Sequence, residues 1–163
     1  MKQFAGLLRA LVEAEVDFVI IGGVAGALNG AARATFDLDI VYSRQRDNLG
    51  RLANALAPLH PYLRGAPPNL PFRLDVATLA RGLNFTLVTD IGSLDILGEV
   101  TGGGTYEQLL PRSRETDVFG VRCRFLDIET LITVKRAAGR PKDFEAIAEL
   151  ETIRDLQRSH AEG

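Results

Sequence analysis

Phe18-Val-Ile-Ile-Gly-Gly23 and, after thirteen intervening residues, Asp37-Leu-Asp-Ile-Val41 decide how this chain folds. The run from Asp17 to Ile21 is short, continuous and rich in β-branched side chains, which predicts a buried strand rather than a helix. Gly22 and Gly23 end it, and Val24-Ala-Gly-Ala-Leu28 has helical character. Strand, glycine turn and helix in that order direct backbone N–H groups at the helix start toward any phosphate placed there. In Thr35-Phe-Asp-Leu-Asp-Ile-Val41, Phe36, Leu38 and Ile40 alternate with Asp37 and Asp39, the pattern of a second strand. Residues two apart on a strand face the same side about 7 Å apart. Two carboxylates on one face need a cation to coexist, and a pair of Mg²⁺ ions about 3.5–4 Å apart would supply it.

Outward from this stretch, Phe4, Leu7, Leu8, Leu11 and Val12 recur at helical spacing and predict an amphipathic helix that covers the sheet. Ser43 to Asn48 reads as a polar loop, and Leu49, Leu52, Ala53 and Leu56 as a helix that stops before Pro58. Pro58, Pro61, Pro67, Pro68 and Pro71 punctuate an irregular stretch, either a functional loop or a connector. Asp75 to Leu83 reads as a short helix stopped by Asn84. Phe85 to Thr89 and Ser93 to Leu97 alternate as a hairpin across Asp90-Ile-Gly92. Asp95 projects from the face opposite to Leu94 and Ile96, where it either joins Asp37 and Asp39 or simply meets solvent. Thr101-Gly-Gly-Gly-Thr105 suits a mobile turn, or a backbone lying flat against a base or ribose. Thr116 to Val118 and Val121 to Phe125 form a second hairpin around Gly120, with Cys123 a small core residue. Asp127 caps a helix running through Arg136, Gly139 ends it, and Pro141 starts a last helix from Asp143 to Gln157.

A hydrophobic strand, Gly-Gly, thirteen residues and then Asp-hydrophobic-Asp-hydrophobic resembles the signature of the DNA polymerase beta-type nucleotidyltransferase superfamily. Gly30, Arg33, Thr35 and Asp37-Leu-Asp39 are similar to the small prokaryotic branch that includes the AbiEii-like toxins. Lys135-Arg-Ala-Ala-Gly-Arg-Pro-Lys-Asp143 resembles the segment that ends many of those domains, so the likeness spans roughly residues 17 to 145. The resemblance implies an α/β (α+β) nucleotidyltransferase fold, a mixed β-sheet flanked by helices. One domain would occupy residues 1–163, with its core at about 17–126 and a C-terminal helical segment at about 127–158.

The activity implied is Mg²⁺-dependent transfer of a nucleoside monophosphate from an NTP to a hydroxyl. Asp37 and Asp39 would bind both metal ions, and Asp95 would bind the ion that activates the acceptor and serve as a candidate base. Gly22 and Gly23 would face the triphosphate. In the superfamily the second glycine position is more often serine, so Gly23 leaves phosphate contact to backbone N–H alone. Lys135, Arg140 and Lys142 would contact phosphates or the acceptor, with Asp143 positioning them. Their alternative is charge complementation at helix ends, worth roughly some tenths of a kcal/mol. Arg33 reaches a phosphate or pairs with the acidic cluster, and Gly30 meets a turn requirement. The implied acceptors are tRNA ends, proteins or small molecules such as antibiotics, and a toxin would have a cognate antitoxin or other partner protein.

Composition narrows the classes. With 46% hydrophobic and 25% charged residues, the 163-residue chain is ordinary for a globular protein. No apolar run approaches the roughly 18 residues of a membrane span, and the start reads as an amphipathic helix rather than a signal-peptide core. The expected location is the cytoplasm, with no membrane partner. A lone cysteine excludes an internal disulfide, and with His60 and His160 scattered there is no zinc pattern, so a metal must be held by oxygen. The net charge of −2 leaves no global footprint for nucleic acid. Residues 112–142, however, carry eight basic side chains against four acids, and residues 143–163 six acids against two arginines. These are either solvated faces or a polyanion-facing patch suited to an RNA acceptor. A dinucleotide-binding turn is disfavoured, because Val24 and Ala27 stand where its fingerprint requires glycine. A catalytically silent fold used for binding or regulation is the alternative of another class; loss of an acid would favour it, and all three are present.

Overall fold

The apolar run Phe18–Ile21 forms strand β1, buried along its whole length. A computed structural model describes residues 1–162. Helix α1 (Ala5–Glu13) precedes β1, and α2 (Gly22–Leu28) follows it directly, so the two glycines begin the helix rather than forming a separate turn. Strand β2 (Asp37–Tyr42) and helix α3 (Arg46–Leu56) come next, then a short strand β3 (Tyr62–Leu63), helix α4 (Val76–Arg81) and the hairpin β4 (Asn84–Thr89) and β5 (Gly92–Leu97). A small hairpin of β6 (Glu99–Val100) and β7 (Gly104–Thr105) leads into α5 (Tyr106–Leu109). The hairpin β8 (Ser113–Val118) and β9 (Val121–Leu126) and the helices α6 (Ile128–Ala138) and α7 (Pro141–Glu162) complete the chain.

Seven strands make one mixed sheet in the order β3-β4-β5-β2-β1-β9-β8. Strand β1 runs antiparallel to β2 and parallel to β9, and β2 runs parallel to β5. The antiparallel β1–β2 pair across α2 rules out a dinucleotide-binding unit, whose strands are parallel around the crossover helix. One face of the central strands buries Leu38, Ile40, Leu94 and Ile96 completely. The other carries Asp37, Asp39 and Asp95, as strand alternation requires. Helix α1 packs against β9 and α3, whereas α2 packs against β1, β2 and α6, and α6 against α7. None of the described helices is long and apolar enough to cross a membrane.

Local chemistry accounts for the ends of the elements. Asp75 and Asp127 cap α4 and α6 by accepting the amide protons of Thr78 (2.9 Å) and Thr130 (2.8 Å), each worth about 1 kcal/mol. Gly139 ends α6 at φ +64°, and Pro141 opens α7 where no amide proton is needed.

The structure revises the sequence expectation at four places besides α3, which begins at Arg46 inside the stretch read as a polar loop. Asn84 starts β4 instead of only stopping α4. Phe36 precedes β2 and is 84% exposed. The proline-punctuated stretch contains the edge strand β3, paired to β4 through Tyr62 and Leu63. The triple glycine is a packed hairpin tip: a β-carbon on Gly102 would stand 2.3 Å from that of Ala137, and one on Gly103 3.0 Å from Val134.

Candidate active site

Register assembles the acids. Asp39 lies opposite Ile21 on β1 and opposite Asp95 on β5, and Asp37 lies opposite Ser93. The first pairing brings Asp39 beside the start of α2, and the second brings Asp95 beside Asp39. A slip of β2 by one residue would turn Asp37 and Asp39 into the core. Gly22 is required twice over. Its φ is +65°, and a β-carbon there would stand 2.1 Å from Asp39 Oδ2.

All ten residues singled out in the sequence, from Gly22 to Asp143, line one cleft of about 280 Å³. Arg33 faces it but is bound to α7, 2.8 Å from Glu145 and 3.8 Å from Glu149, rather than to the carboxylates. Asp143 is buried, receives Arg140 Nε at 2.7 Å and has Lys135 Nζ at 4.0 Å. It thereby fixes two cations on the wall opposite the sheet. Burial holds the Lys135 ammonium below its ordinary pKa, opposed by the Asp143 and Asp39 charges.

The Asp39 carboxyl is pushed up to about 7, first by burial, then by the Asp95 charge and hydrogen bond and by Asp37, with Lys135 opposing. Such a group is short of positive charge. Three carboxylates on one face form the all-oxygen donor set that Mg²⁺ takes, so the chemistry of the site fits the metal. As they stand, no three acidic, histidine or cysteine side chains among the described residues are gathered tightly enough to hold an ion.

Two residues that sequence reasoning did not assign complete the picture. Arg64, just beyond β3, donates from Nη2 to Asp95 Oδ1 (2.6 Å) and to the Leu87 carbonyl (2.8 Å), and the same nitrogen is 3.9 Å from Asp37 Oδ1. Its Nε is buried with no hydrogen-bond partner among the described residues. The guanidinium therefore neutralises the acids from the β3 edge of the sheet. Only pairing of β3 with β4 brings it there, and no spacing in the sequence signals that. Thr35 supplies the second addition. Its hydroxyl oxygen stands 2.6 Å from where a Gly23 β-carbon would be. The place of a side chain at position 23 is thus taken by a hydroxyl from the loop before β2.

Neither a protein-family model nor a curated protein sequence matches the chain. Solved structures do. The lincosamide antibiotic adenylyltransferase LnuA, bound to lincomycin, is similar over 94% of this chain and 97% of its own, with TM-score 0.61 and 16% identity. ANT(2'')-Ia in complex with adenylyl-2''-tobramycin is similar over 98% and 97%, with TM-score 0.54 and 18% identity. A protein of Thermotoga maritima, assigned provisionally as a nucleotidyltransferase, is similar over 98% and 95%, with TM-score 0.52 and 14% identity. Identities this low speak for architecture, and the architecture of this chain, a mixed sheet flanked by helices, is the nucleotidyltransferase fold.

Proposed function

We propose that this protein transfers a nucleoside monophosphate from an NTP to a hydroxyl acceptor with Mg²⁺ held by Asp37, Asp39 and Asp95. The observation that carries this reading is the in-register pairing of Asp39 with Asp95 beside Gly22, which faces three acids toward Lys135, Arg140 and Lys142 across one cleft. The acceptor oxygen forms a bond to the α-phosphorus, and the bond from that phosphorus to the bridging oxygen breaks. Its electron pair leaves with pyrophosphate, and the hydroxyl proton passes to Asp95. When bound, two Mg²⁺ ions supply charge neutralisation at the attacking and leaving oxygens. Lys135, Arg140, Lys142 and Arg33 line the side where the triphosphate charge is best met, and the backbone N–H groups of Gly22 and Gly23 face it. Asp143 keeps Arg140 and Lys135 in place.

Of the acceptors that the AbiEii-like resemblance brings with it, tRNA has the least support in the geometry. Three of the eight basic residues in 112–142, Arg122, Arg124 and Arg136, are paired to acids outside the cleft, and Lys135, Arg140 and Lys142 line the cleft itself. Arg122 and Arg124 lie on the β8–β9 hairpin at the edge of the sheet, away from the acids. A role as a toxin held by an antitoxin rests on the sequence resemblance alone. The Arg64 contact favours a second reading, a silent fold used for binding, since a guanidinium already occupies Asp95.

Incubation with each α-labelled NTP and Mg²⁺, together with cellular RNA, protein extract or a small-molecule extract, tests both readings. Label transferred by the intact protein and not by Asp37→Ala/Asp39→Ala is the expected result. No transfer and no Mg²⁺-dependent NTP binding would leave only the silent fold.

A further inference from the structure

The carboxylates stand where two clefts meet. Beyond the cationic cleft, a second of about 370 Å³ is walled by Leu97, Val100, Leu131, Val134, Ala137 and Ala138. Gly22, Asp39, Asp95, Lys135 and Arg140 line both, whereas Arg33, Lys142 and Asp37 line only the first. The division of charge is therefore sharp. Every cation of the second cleft lies at the junction, and beyond it the walls are hydrocarbon except for Thr101. Val100 and Leu131 are 4% and 0% exposed, so those walls are fixed by the core. The β6–β7 hairpin forms part of the wall, and its glycines explain how it comes close enough. Gly102 and Gly103 lie against Ala137 and Val134 of α6 with no room for a side chain, which carries Val100 and Thr101 to the cleft.

In-line displacement requires the attacking and leaving oxygens to lie on opposite sides of the phosphorus. Two clefts meeting at Asp39 and Asp95 provide those two sides. The leaving pyrophosphate carries the charge and suits the cationic cleft, so the attacking hydroxyl comes from the apolar one. Resting on the transfer reading above, we infer that this apolar cleft is the acceptor subsite. Its acceptor is a compact, uncharged molecule with a hydrocarbon face and one hydroxyl presented to Asp95. A volume of about 370 Å³ lies within the range of small-molecule pockets, roughly 300–1,000 Å³, and beyond Lys135 and Arg140 at the junction its walls carry no cation for a phosphate backbone.

The probes are the straight-chain alcohols from 1-butanol to 1-octanol, followed by saturation-transfer NMR in the presence of Mg²⁺ and a non-hydrolysable NTP analogue. Affinity should rise by about fourfold per methylene as the hydrocarbon wall is covered. Ala138→Phe, at an exposed position of the cleft, should abolish that rise while NTP-analogue binding stays within about twofold. A second variant, Thr101→Phe, also at an exposed position of the cleft, should act in the same way. Alcohols that bind without dependence on chain length would overturn the inference. So would displacement of octanol by a single-stranded oligonucleotide, or weakened nucleotide binding in both variants, which would give the cleft to an RNA end or to the nucleobase respectively. Failure of the wild-type protein to bind the NTP analogue would instead remove the transfer reading on which the inference rests.

Discussion

Replacing Gly22 by alanine separates backbone strain from the geometry of the site, because Gly139 provides a matched control. Gly22 and Gly139 have φ of +65° and +64°. An alanine in that conformation costs about 1–2 kcal/mol at either position. At Gly139 nothing else opposes it, the nearest atom to the new β-carbon being the Arg136 carbonyl oxygen at 3.9 Å. At Gly22 the β-carbon would stand 2.1 Å from Asp39 Oδ2, 2.9 Å from its Cγ and 3.0 Å from its Cβ. Rotating the carboxylate clears the first two contacts and leaves the third, so the strand must also give way. Overpacking of this kind adds about 1–3 kcal/mol. Gly22→Ala should therefore lose about 2–5 kcal/mol in urea titrations and Gly139→Ala about 1–2, with similar slopes against denaturant. Gly22→Ala should also lose Mn²⁺ binding, since its Asp39 carboxylate has been turned away. Equal stability losses in the two variants, together with unaltered Mn²⁺ binding by Gly22→Ala, would refute the claim that this glycine makes room for Asp39.

Three further outcomes are expected. Asp39 holds its proton up to about 7 in the folded chain and to 3.8 when unfolded. The folded state therefore binds more protons in that window, and stability without metal should fall as pH rises from about 4 to 7, by about 4 kcal/mol at most. Asp39→Asn should flatten the slope, and a slope unchanged in that variant would assign it to other groups. Arg64→Met removes a guanidinium from Asp95, so Mn²⁺ should bind roughly tenfold tighter, as expected from losing about 1.4 kcal/mol of competing interaction. Weaker binding would show that Arg64 orders the acids instead of competing for them. Cys123 is 3% exposed, and burial lifts its thiol to about 11. Iodoacetamide at pH 8 should leave it unmodified until the chain is unfolded, and rapid labelling of the native protein would contradict its place in the core.

The sequence by itself determined the elements at the centre. Phe18 to Ile21 could only be a buried strand, Asp37 and Asp39 had to share a face by alternation, and Asp95 had to project opposite to Leu94 and Ile96. These are local properties, set by periods of two and by glycine's backbone freedom, and adjacent residues suffice to fix them. The C-terminal helices were equally legible, because Asp127, Gly139 and Pro141 act on the backbone within a turn of themselves.

What only the tertiary structure decided is how these pieces meet. Asp39 faces Asp95 through the register of β2 against β5, a parallel pair whose partnered residues lie more than fifty positions apart in sequence. Arg64 reaches the acids from an edge strand two residues long, too short for any pattern to reveal. Thr35 fills the space over Gly23 from twelve residues away, and the triple glycine closes on α6 because small residues there allow close approach, a constraint set wholly by the partner surface. Part of the basic stretch was neutralised for the same reason. Charges adjacent in sequence were claimed by acids that folding brought beside them, Arg122 by Glu115 across a hairpin and Arg136 by Glu151 across two helices. Side-chain direction along one element follows from local geometry, whereas the choice of partner depends on long-range packing.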